Sequence, residues 1–256
     1  MTGFADHFSR DSAAYAKFRP VYPPELFQWL ATLPARRATA WDCGTGTGQA
    51  AAMLTPYFAR VLASDPSRAQ VKSADRSTGV RYFAALGESS ALAPARVDLV
   101  TVAQALHWID RDRFYHELDR VTAPGGALAI WTYGNFRSTP ELDAVIGRFY
   151  RDTVGPYWPP ERAHVESGYR HIEIPITEVP SPAFHIEGRL TLEDLLGFVR
   201  TWSAVGRYLA VKGADPTVEL EHELRRVWGD PARTRLLVWP LSVRAGRWRR
   251  SGPVAA

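Results

Sequence analysis

Residues 41–49 read W-D-C-G-T-G-T-G-Q, a glycine-rich turn between two segments of regular structure. The apolar run before the turn, 38–41, predicts a buried strand that ends at Asp42, and the alanine-rich segment after it, 49–58, predicts a helix. Glycines at alternate positions let the chain turn sharply and let a ligand approach the backbone closely. The N–H groups that begin the helix present a positive dipole end. A nicotinamide dinucleotide is disfavoured, because the third glycine of its usual pattern would fall at Gln49.

Strand and helix patterns alternate through the first half of the chain. Because alternating strands and helices require crossover connections, this arrangement predicts a parallel sheet. Ligands of such sheets bind outside the carboxyl ends of the strands. Further strands are predicted at 61–64, 80–84, 97–102 and 127–133, and further helices at 24–33 and 112–121.

The second half predicts helices at 141–152, 192–211 and 217–228, and strands at 183–189 and 235–243. We expect these two strands to complete a seven-stranded, mostly parallel, Rossmann-like α/β sheet with helices on both faces, and the helices between them to form an α-helical cap over its carboxyl edge. A separate second domain is the alternative, and the lack of a long Gly/Ser linker argues against it. The predicted division is an N-terminal segment (1–35), a core (36–134), a cap that contributes one strand (135–235), and a last strand with a basic tail (236–256).

The composition is that of an ordinary globular protein. Of 256 residues, 46% are apolar and 23% charged, which excludes a fibrous or disordered chain, and no apolar run reaches the roughly 18–20 residues of a membrane span. The N-terminus lacks the apolar region of a secretory signal, and the single cysteine, Cys43, allows no disulfide framework within one chain. We therefore expect a cytoplasmic protein. Two His/Glu pairs, at 164/166 and 171/173, lack a third ligand, so no metal site is predicted.

The charge is nearly balanced, since 31 lysines and arginines against 27 acids give a net charge of +4. Arginines outnumber lysines by 28 to 3. This skew either reflects a GC-rich genome or serves recognition of phosphate or carboxylate groups. Basic and acidic residues interleave except at 244–250, where Arg247, Arg249 and Arg250 are predicted to form a solvated, mobile end. A nucleic-acid partner would require a basic stripe, so none is expected. The oligomeric state is not predicted.

Chemically versatile residues follow three more of the predicted strands. Asp65 ends the second strand, where a carboxylate can accept hydrogen bonds from both hydroxyls of a ribose. Gly87 and Glu88 follow the third strand, where they would border an adenine. The segment A-Q-A-L-H-W, 103–108, follows the fourth strand and contains His107, a side-chain type that titrates near neutral pH.

Taken together, these motifs resemble a known family. The stretch D-C-G-T-G-T-G-Q, the acid at Asp65, G-E-S-S-A-L (87–92) and A-L-H-W-I-D (105–110) are similar to class I S-adenosylmethionine (SAM)-dependent methyltransferases with a type 11 domain. The segments F-S-R-D-S-A-A-Y-A-K-F-R-P-V-Y-P (8–23), T-W-S-A-V (201–205) and W-G-D-P (228–231) resemble the trans-aconitate methyltransferase-like branch. The resemblance spans residues 8 to 248 and implies SAM as cofactor, with S-adenosylhomocysteine as product.

The resemblance also implies roles for individual residues. The acid and first glycine of the turn would face the methionine part of SAM, the second glycine would allow its close approach, and the segment after the fourth strand would lie along it. The N-terminal entry segment would close over the cofactor. The implied cofactor-binding residues are Tyr15, Arg19, Asp42, Gly44, Gly46, Asp65, Gly87, Glu88, Ala103 and Gln104.

The acceptor of the methyl group is predicted to be a small molecule. A cap of more than fifty residues favours a closed pocket, and the substrate-binding candidates are Tyr22, Trp108, Tyr133, Trp202 and Arg207. His107 is the candidate catalytic base, and the alternative is that it only orients Trp108 or hydrogen-bonds the backbone. A base helps when the acceptor is a hydroxyl or an acidic carbon and is unnecessary for a carboxylate. Two rival functions are SAM binding without methyl transfer, and methylation of RNA or protein, which the pI of about 9.3 suggests.

Overall fold

The computed structural model describes residues 21–250. The sheet within this range has the strand order β3-β2-β1-β4-β5-β8-β6, with β7 pairing with the first half of β8. Strands β1 to β5 are parallel to one another, and β8 is antiparallel to β5, β6 and β7. The predicted Rossmann-like α/β fold is confirmed. The strands are β1 (Thr39–Cys43), β2 (Arg60–Asp65), β3 (Arg81–Ala84), β4 (Val97–Ala103), β5 (Thr122–Tyr133), β6 (Ile176–Glu178), β7 (His185–Leu190) and β8 (Arg235–Trp248).

Helices connect the strands and form most of the segment between β5 and β8. Within the described range they are α1 (Pro24–Leu30), α2 (Gln49–Leu54), α3 (Arg68–Ser73), α4 (Arg111–Val121), α5 (Pro140–Arg148), α6 (Arg162–Glu166), α7 (Leu192–Arg200), α8 (Ser203–Lys212) and α9 (Thr217–Trp228). None of these helices has the length and apolar character that would let it cross a membrane.

Alternation of side chains along the strands divides the core between the two faces of the sheet. Ala40 and Leu99 belong to the cluster that contains the buried side chains of α1 and α2. Trp41 and Val100, their neighbours in sequence, belong to the cluster that contains Phe114 and the other buried residues of α4. The sheet is therefore covered on both faces, and the loops at the carboxyl ends of β1, β2 and β4 meet at one edge.

Four helices end earlier than the sequence predicts, among them the helix predicted at 24–33, which ends at Leu30, and three of them for identifiable local reasons. The helix predicted at 49–58 ends at Leu54, because Pro56 has no backbone N–H to donate to the helix. The helix predicted at 141–152 gives way at Phe149 to a wider turn. The helix predicted at 192–211 is two helices, because the Thr201 hydroxyl donates to the Phe198 carbonyl at 2.6 Å and Trp202 adopts an extended conformation.

The strand predictions also need correction. The sheet has eight strands in residues 21–250 rather than seven, because β6 was missed and segment 135–235 supplies two strands instead of one. β6 has only three residues, which pair with the end of β8. β8 continues through the predicted basic tail, so Arg247 lies in a strand. The backbone N–H of Arg249 donates to the Pro175 carbonyl. The guanidinium of Arg250 donates to the Thr122 carbonyl. Arg247, Arg249 and Arg250 are exposed, as predicted, but they are held by these backbone and side-chain contacts.

Candidate active site

The glycine-rich turn leaves β1 through backbone conformations that favour glycine. Gly44, Gly46 and Gly48 have φ angles of +69°, +56° and +92°, in the left-handed region. A Cβ on Gly44 would lie 2.6 Å from the Cβ of Ala105, so the turn packs closely against the loop after β4. A Cβ on Gly46 would meet no described atom within 4 Å. The backbone at Gly46 is therefore open to a ligand.

Asp42 lies beneath this turn and is fully buried. The hydroxyls of Thr45 and Thr101 donate to its two carboxylate oxygens at 2.5 and 2.7 Å. Burial raises the pKa of Asp42 to about 6, against the opposing effect of these two hydrogen bonds. The carboxylate thus shapes the turn, and its predicted direct contact with the methionine part of SAM stays a prediction.

Asp65 joins the same turn from the end of β2. Its Oδ2 accepts from the Gly46 N–H at 2.9 Å and its Oδ1 accepts from the Ser67 N–H at 2.8 Å. The side chain is mostly buried and stands beside the open backbone of Gly46. This is the position at which a carboxylate binds ribose hydroxyls in doubly wound sheets.

Glu88 and Gly87 lie next along the edge of the sheet formed by the carboxyl ends of the parallel strands. Glu88 is half-buried, and its Oε1 accepts from the Asp110 N–H at 2.8 Å. Gly87 is buried, and a Cβ there would lie 2.7 Å from the Cys43 sulfur. Burial also raises the pKa of the Cys43 thiol well above its ordinary value, which suits the packing role of this residue.

The loop after β4 is held against the end of β5. Gln104 has a φ of +55°, and its N–H donates to the Trp131 carbonyl at 2.9 Å. Its side-chain Nε2 donates to the Tyr133 carbonyl at 2.9 Å, and its Oε1 accepts from the Thr132 hydroxyl. The loop therefore presents Ala103 and Gln104 in a fixed conformation at the edge of the sheet.

A cleft opens between this loop and the cap. The sheet edge contributes Gln104, His107, Trp108 and Tyr133 to its lining. The cap contributes aromatic side chains that contact each other, with ring centroids of Trp158 and Trp202 5.7 Å apart. Of the predicted substrate residues, the structure thus brings Trp108, Tyr133 and Trp202 together with His107.

Two predicted substrate residues lie elsewhere. Tyr22 is buried in the core, where its ring packs edge-on against Trp131 at a centroid distance of 5.6 Å. Arg207 lies on α8 and is not among the described residues that line the cleft. The sequence pattern predicted both from residue type alone, and neither prediction is supported. Tyr15 and Arg19 lie outside the described residues.

Arg162, which was not a predicted substrate residue, lines the cleft among the described residues. Its guanidinium carbon lies 4.5 Å from the ring centroid of Trp158, and its Nε donates to the Tyr150 hydroxyl at 2.8 Å. The segment P-Y-W-P-P-E-R, 156–162, carries the signal that was missed, since aromatic residues and prolines precede an arginine. Arginine on an aromatic face is a common arrangement for recognition of anions.

His107 is half-buried, and its Nδ1 lies 2.7 Å from the hydroxyl of Tyr169. Tyr169 is fully buried after α6 and was not identified from the sequence. Among the described residues, no three His, Cys, Asp or Glu side chains gather as metal ligands do. The site is therefore built from carboxylates, amides, aromatic rings, one histidine and one arginine.

Comparisons with known proteins decide the family. The family described as a methyltransferase domain matches residues 41–130. A protein from Dictyostelium discoideum described as a methyltransferase is 31% identical over 231 residues, 89% of this chain and 88% of that protein. A solved structure described as a type II methyltransferase from Anaeromyxobacter dehalogenans is 46% identical, with a TM-score of 0.84 over 90% of this chain and 97% of that one.

The chain belongs to the SAM-dependent methyltransferase family. A shorter match supports the cofactor, since a Saccharomyces cerevisiae protein described as a SAM-dependent methyltransferase is 31% identical over 160 residues, 57% of this chain and 55% of that protein. The methyltransferase resemblance seen in the sequence is confirmed at this level.

The residues of the methyltransferase fit SAM chemically. SAM carries an ammonium, a sulfonium, a carboxylate and a ribose, so its site needs acidic groups, backbone donors and room beside the chain. The turn supplies open backbone at Gly46, with the carboxylate of Asp65 beside it and that of Asp42 beneath it. Glu88 and Gly87 follow along the same edge and are the residues that would border the adenine.

The first prediction concerns the ribose contact. We expect Asp65→Ala to weaken SAM binding by roughly tenfold or more, because hydrogen bonds to a charged group contribute about 1.5–3 kcal/mol each. Calorimetric titration measures the affinity. Asp75→Ala is the matched control, because Asp75 is exposed and caps the turn at Arg76–Thr78. Unchanged affinity in a folded Asp65→Ala variant would show that Asp65 does not bind the cofactor.

Proposed function

We propose that this methyltransferase transfers the methyl group to a small molecule held in the cleft between the loop after β4 and the cap. The lining of the cleft supports this proposal. Trp108 faces it from the sheet edge, and Trp158 and Trp202 face it from the cap. Small-molecule sites are typically concave and lined by aromatic side chains with a few polar groups. A cap over the sheet edge also restricts access by a folded RNA or protein.

Catalysis in this cleft depends mainly on alignment. When bound, SAM supplies a methyl group that is already activated by its positive sulfur. The protein then needs to hold an acceptor atom in line with that methyl group and to keep water out. The rings of Trp158 and Trp202, which pack against Tyr150, give the cap side of the cleft a largely apolar wall. This wall suits a flat or unsaturated part of the acceptor.

Arg162 offers a charged contact to the proposed acceptor. Its guanidinium stacks on Trp158 while its Nε is engaged by Tyr150, so the side chain is oriented before any ligand arrives. Such an oriented guanidinium forms charge-assisted hydrogen bonds with a carboxylate or another anionic group. We therefore include an acidic group on the acceptor in the proposal.

His107 is the proposed general base. It lines the same cleft, and a base is useful where the attacked atom carries a proton, as in a hydroxyl or an acidic carbon. The proposed acceptor is thus a small molecule with an acidic group for Arg162 and a protonated nucleophile for His107. Assignment to the trans-aconitate methyltransferase-like branch, a cytoplasmic location and the lack of a nucleic-acid partner also belong to the proposal.

The second prediction tests the acceptor site. We expect Arg162→Gln to raise KM for acidic acceptors by roughly tenfold to a hundredfold. This range corresponds to the loss of a hydrogen bond to a charged group, which contributes about 1.5–3 kcal/mol. KM is measured from the rate of S-adenosylhomocysteine release with a panel of small carboxylic acids and hydroxyaromatic compounds. Arg207→Gln is the matched control and should leave KM unchanged. Equal effects of the two substitutions would contradict the proposed site, and activity only with RNA or protein would contradict the small-molecule acceptor.

The third prediction concerns the base. In His107→Gln we expect kcat to fall by about 10²–10⁴-fold, the usual contribution of general base catalysis, while SAM affinity stays the same. Turnover of the best acceptor measures kcat, and calorimetric titration with SAM measures the SAM affinity. Full turnover in His107→Gln would contradict the role of His107 as a general base. If the protein forms no S-adenosylhomocysteine from SAM with an acceptor of any class, methyl transfer itself is contradicted. The function that remains is then SAM binding without transfer.

A further inference from the structure

We propose that Glu117 and Arg120 on α4 are positioning residues for the adenine of SAM, and that they act through the turn at 86–90 after β3. Neither side chain belongs to the cofactor residues named above. The proposal relies on Gly87 and Glu88 bordering the adenine, and it does not depend on the acceptor of the methyl group. A set of hydrogen bonds that joins the turn to one helix supports it.

The segment 85–96, which joins β3 to β4, has little backbone pairing of its own. Its first residue is tied to the end of β2 and its last two residues to the end of α4 by backbone hydrogen bonds of 2.9–3.2 Å. Within residues 21–250, no backbone–backbone hydrogen bond joins 86–94 to another part of the chain. Side chains therefore set the position of the turn.

Glu117 is the carboxylate that holds the turn. Its Oε1 accepts from the Ser90 N–H at 2.8 Å and from the Ser90 hydroxyl. Only 8% of Glu117 is exposed. Burial opposes its ionisation, but the hydrogen bonds from Arg120 and Ser90 outweigh this effect and lower the pKa of Glu117 below its usual value. Glu117 is therefore ionised at neutral pH, and an ionised acceptor forms the stronger hydrogen bonds.

Arg120 completes the attachment of the loop. Its Nε and one terminal nitrogen donate to the two carboxylate oxygens of Glu117 at 2.8 and 2.6 Å. The same guanidinium donates to the Leu92 carbonyl at 2.7 Å and to the Ser90 carbonyl at 3.2 Å. One planar group thus joins the carboxylate of the helix to the backbone of the loop, which the single ammonium of a lysine cannot do in the same geometry.

The turn that these residues hold lies against the cofactor edge of the sheet. A Cβ on Gly87 would lie 2.7 Å from the sulfur of Cys43, which ends β1. The Oε1 of Glu88 accepts from the Asp110 N–H at 2.8 Å, and its Oε2 has no hydrogen-bond partner among the described residues. That second oxygen can accept from the amino group of an adenine. A displaced turn would therefore recognise the base less well.

Calorimetric titration with two ligands that differ only in the purine base tests the proposal. S-adenosylhomocysteine carries an amino group at position 6 of the purine, and S-inosylhomocysteine carries a carbonyl oxygen there. A carbonyl oxygen cannot donate to Glu88, so we expect the wild-type protein to bind the adenosyl compound more tightly by roughly tenfold or more. In Glu117→Gln and in Arg120→Lys this preference should shrink by at least roughly fivefold, the size of one neutral hydrogen bond.

Two comparisons separate positioning from a general loss of stability. Arg225→Lys is the matched control, because Arg225 also donates to a glutamate of its own helix, Glu221 at 2.6 Å, but lies on α9. It should leave both affinities unchanged. The second comparison is a double-mutant cycle with Glu88→Ala. Because the turn and Glu88 act on the same base, Glu117→Gln should change the preference much less in this background than in the wild-type protein.

Each outcome supports or overturns the proposal without knowledge of the acceptor. Equal wild-type affinity for the two ligands overturns it, and so does an unchanged preference in folded Glu117→Gln. Equal weakening of both ligands in that variant also overturns the positioning role. If Glu117→Gln does not fold, Arg120→Lys decides, since the Arg120 side chain is 38% exposed and its charge is kept. Methyl transfer stands in all these cases, because release of S-adenosylhomocysteine tests it separately.

Discussion

The Asp42 carboxylate is buried near the end of β1, where hydroxyls from the glycine-rich turn and from β4 donate to its two oxygens. One side chain thereby ties the turn to two strands. Burial raises its pKa from 3.8 to about 6, so its contribution to stability is greatest at low pH and declines by about 3 kcal/mol as the pH rises through this interval. A positively charged ligand nearby would offset the cost of ionisation. This buried carboxylate thus organises the edge of the sheet, and we expect it to favour a cationic cofactor.

The two halves of the site depend on the fold in different ways. The cofactor half comes from short loops at the ends of parallel strands, which the sheet itself brings together. The acceptor half joins one of these loops to residues of the cap. Arg162 and Trp158 precede or begin α6, and Trp202 separates α7 from α8. If the acceptor binds where we propose, variation of the cap would change the acceptor without disturbing the cofactor site, as expected when specificity resides in segments added to a common sheet.

Much of the cofactor half was predictable from the sequence, because its signals are local. The glycine turn, Asp65 and the segment 103–108 each stand within a few residues of a strand whose apolar pattern is plain. The positions of Arg162 beside Trp158 and of Tyr169 beside His107 were not predicted, because only the tertiary structure creates these contacts. The contact between His107 and Tyr169 spans 62 positions. The three-residue strand β6 and the break at Trp202 were missed since pairing and packing determine them more than residue preference does.

The measurement that tests the account most directly is calorimetric titration of the purified protein with SAM and with S-adenosylhomocysteine, with NAD as the control. The glycine-rich turn, the carboxylates of Asp42 and Asp65 and the family all predict saturable micromolar binding of both adenosyl compounds and none of NAD. Failure of both adenosyl compounds to bind to folded protein would contradict the account and would leave the turn as the site of a different nucleotide.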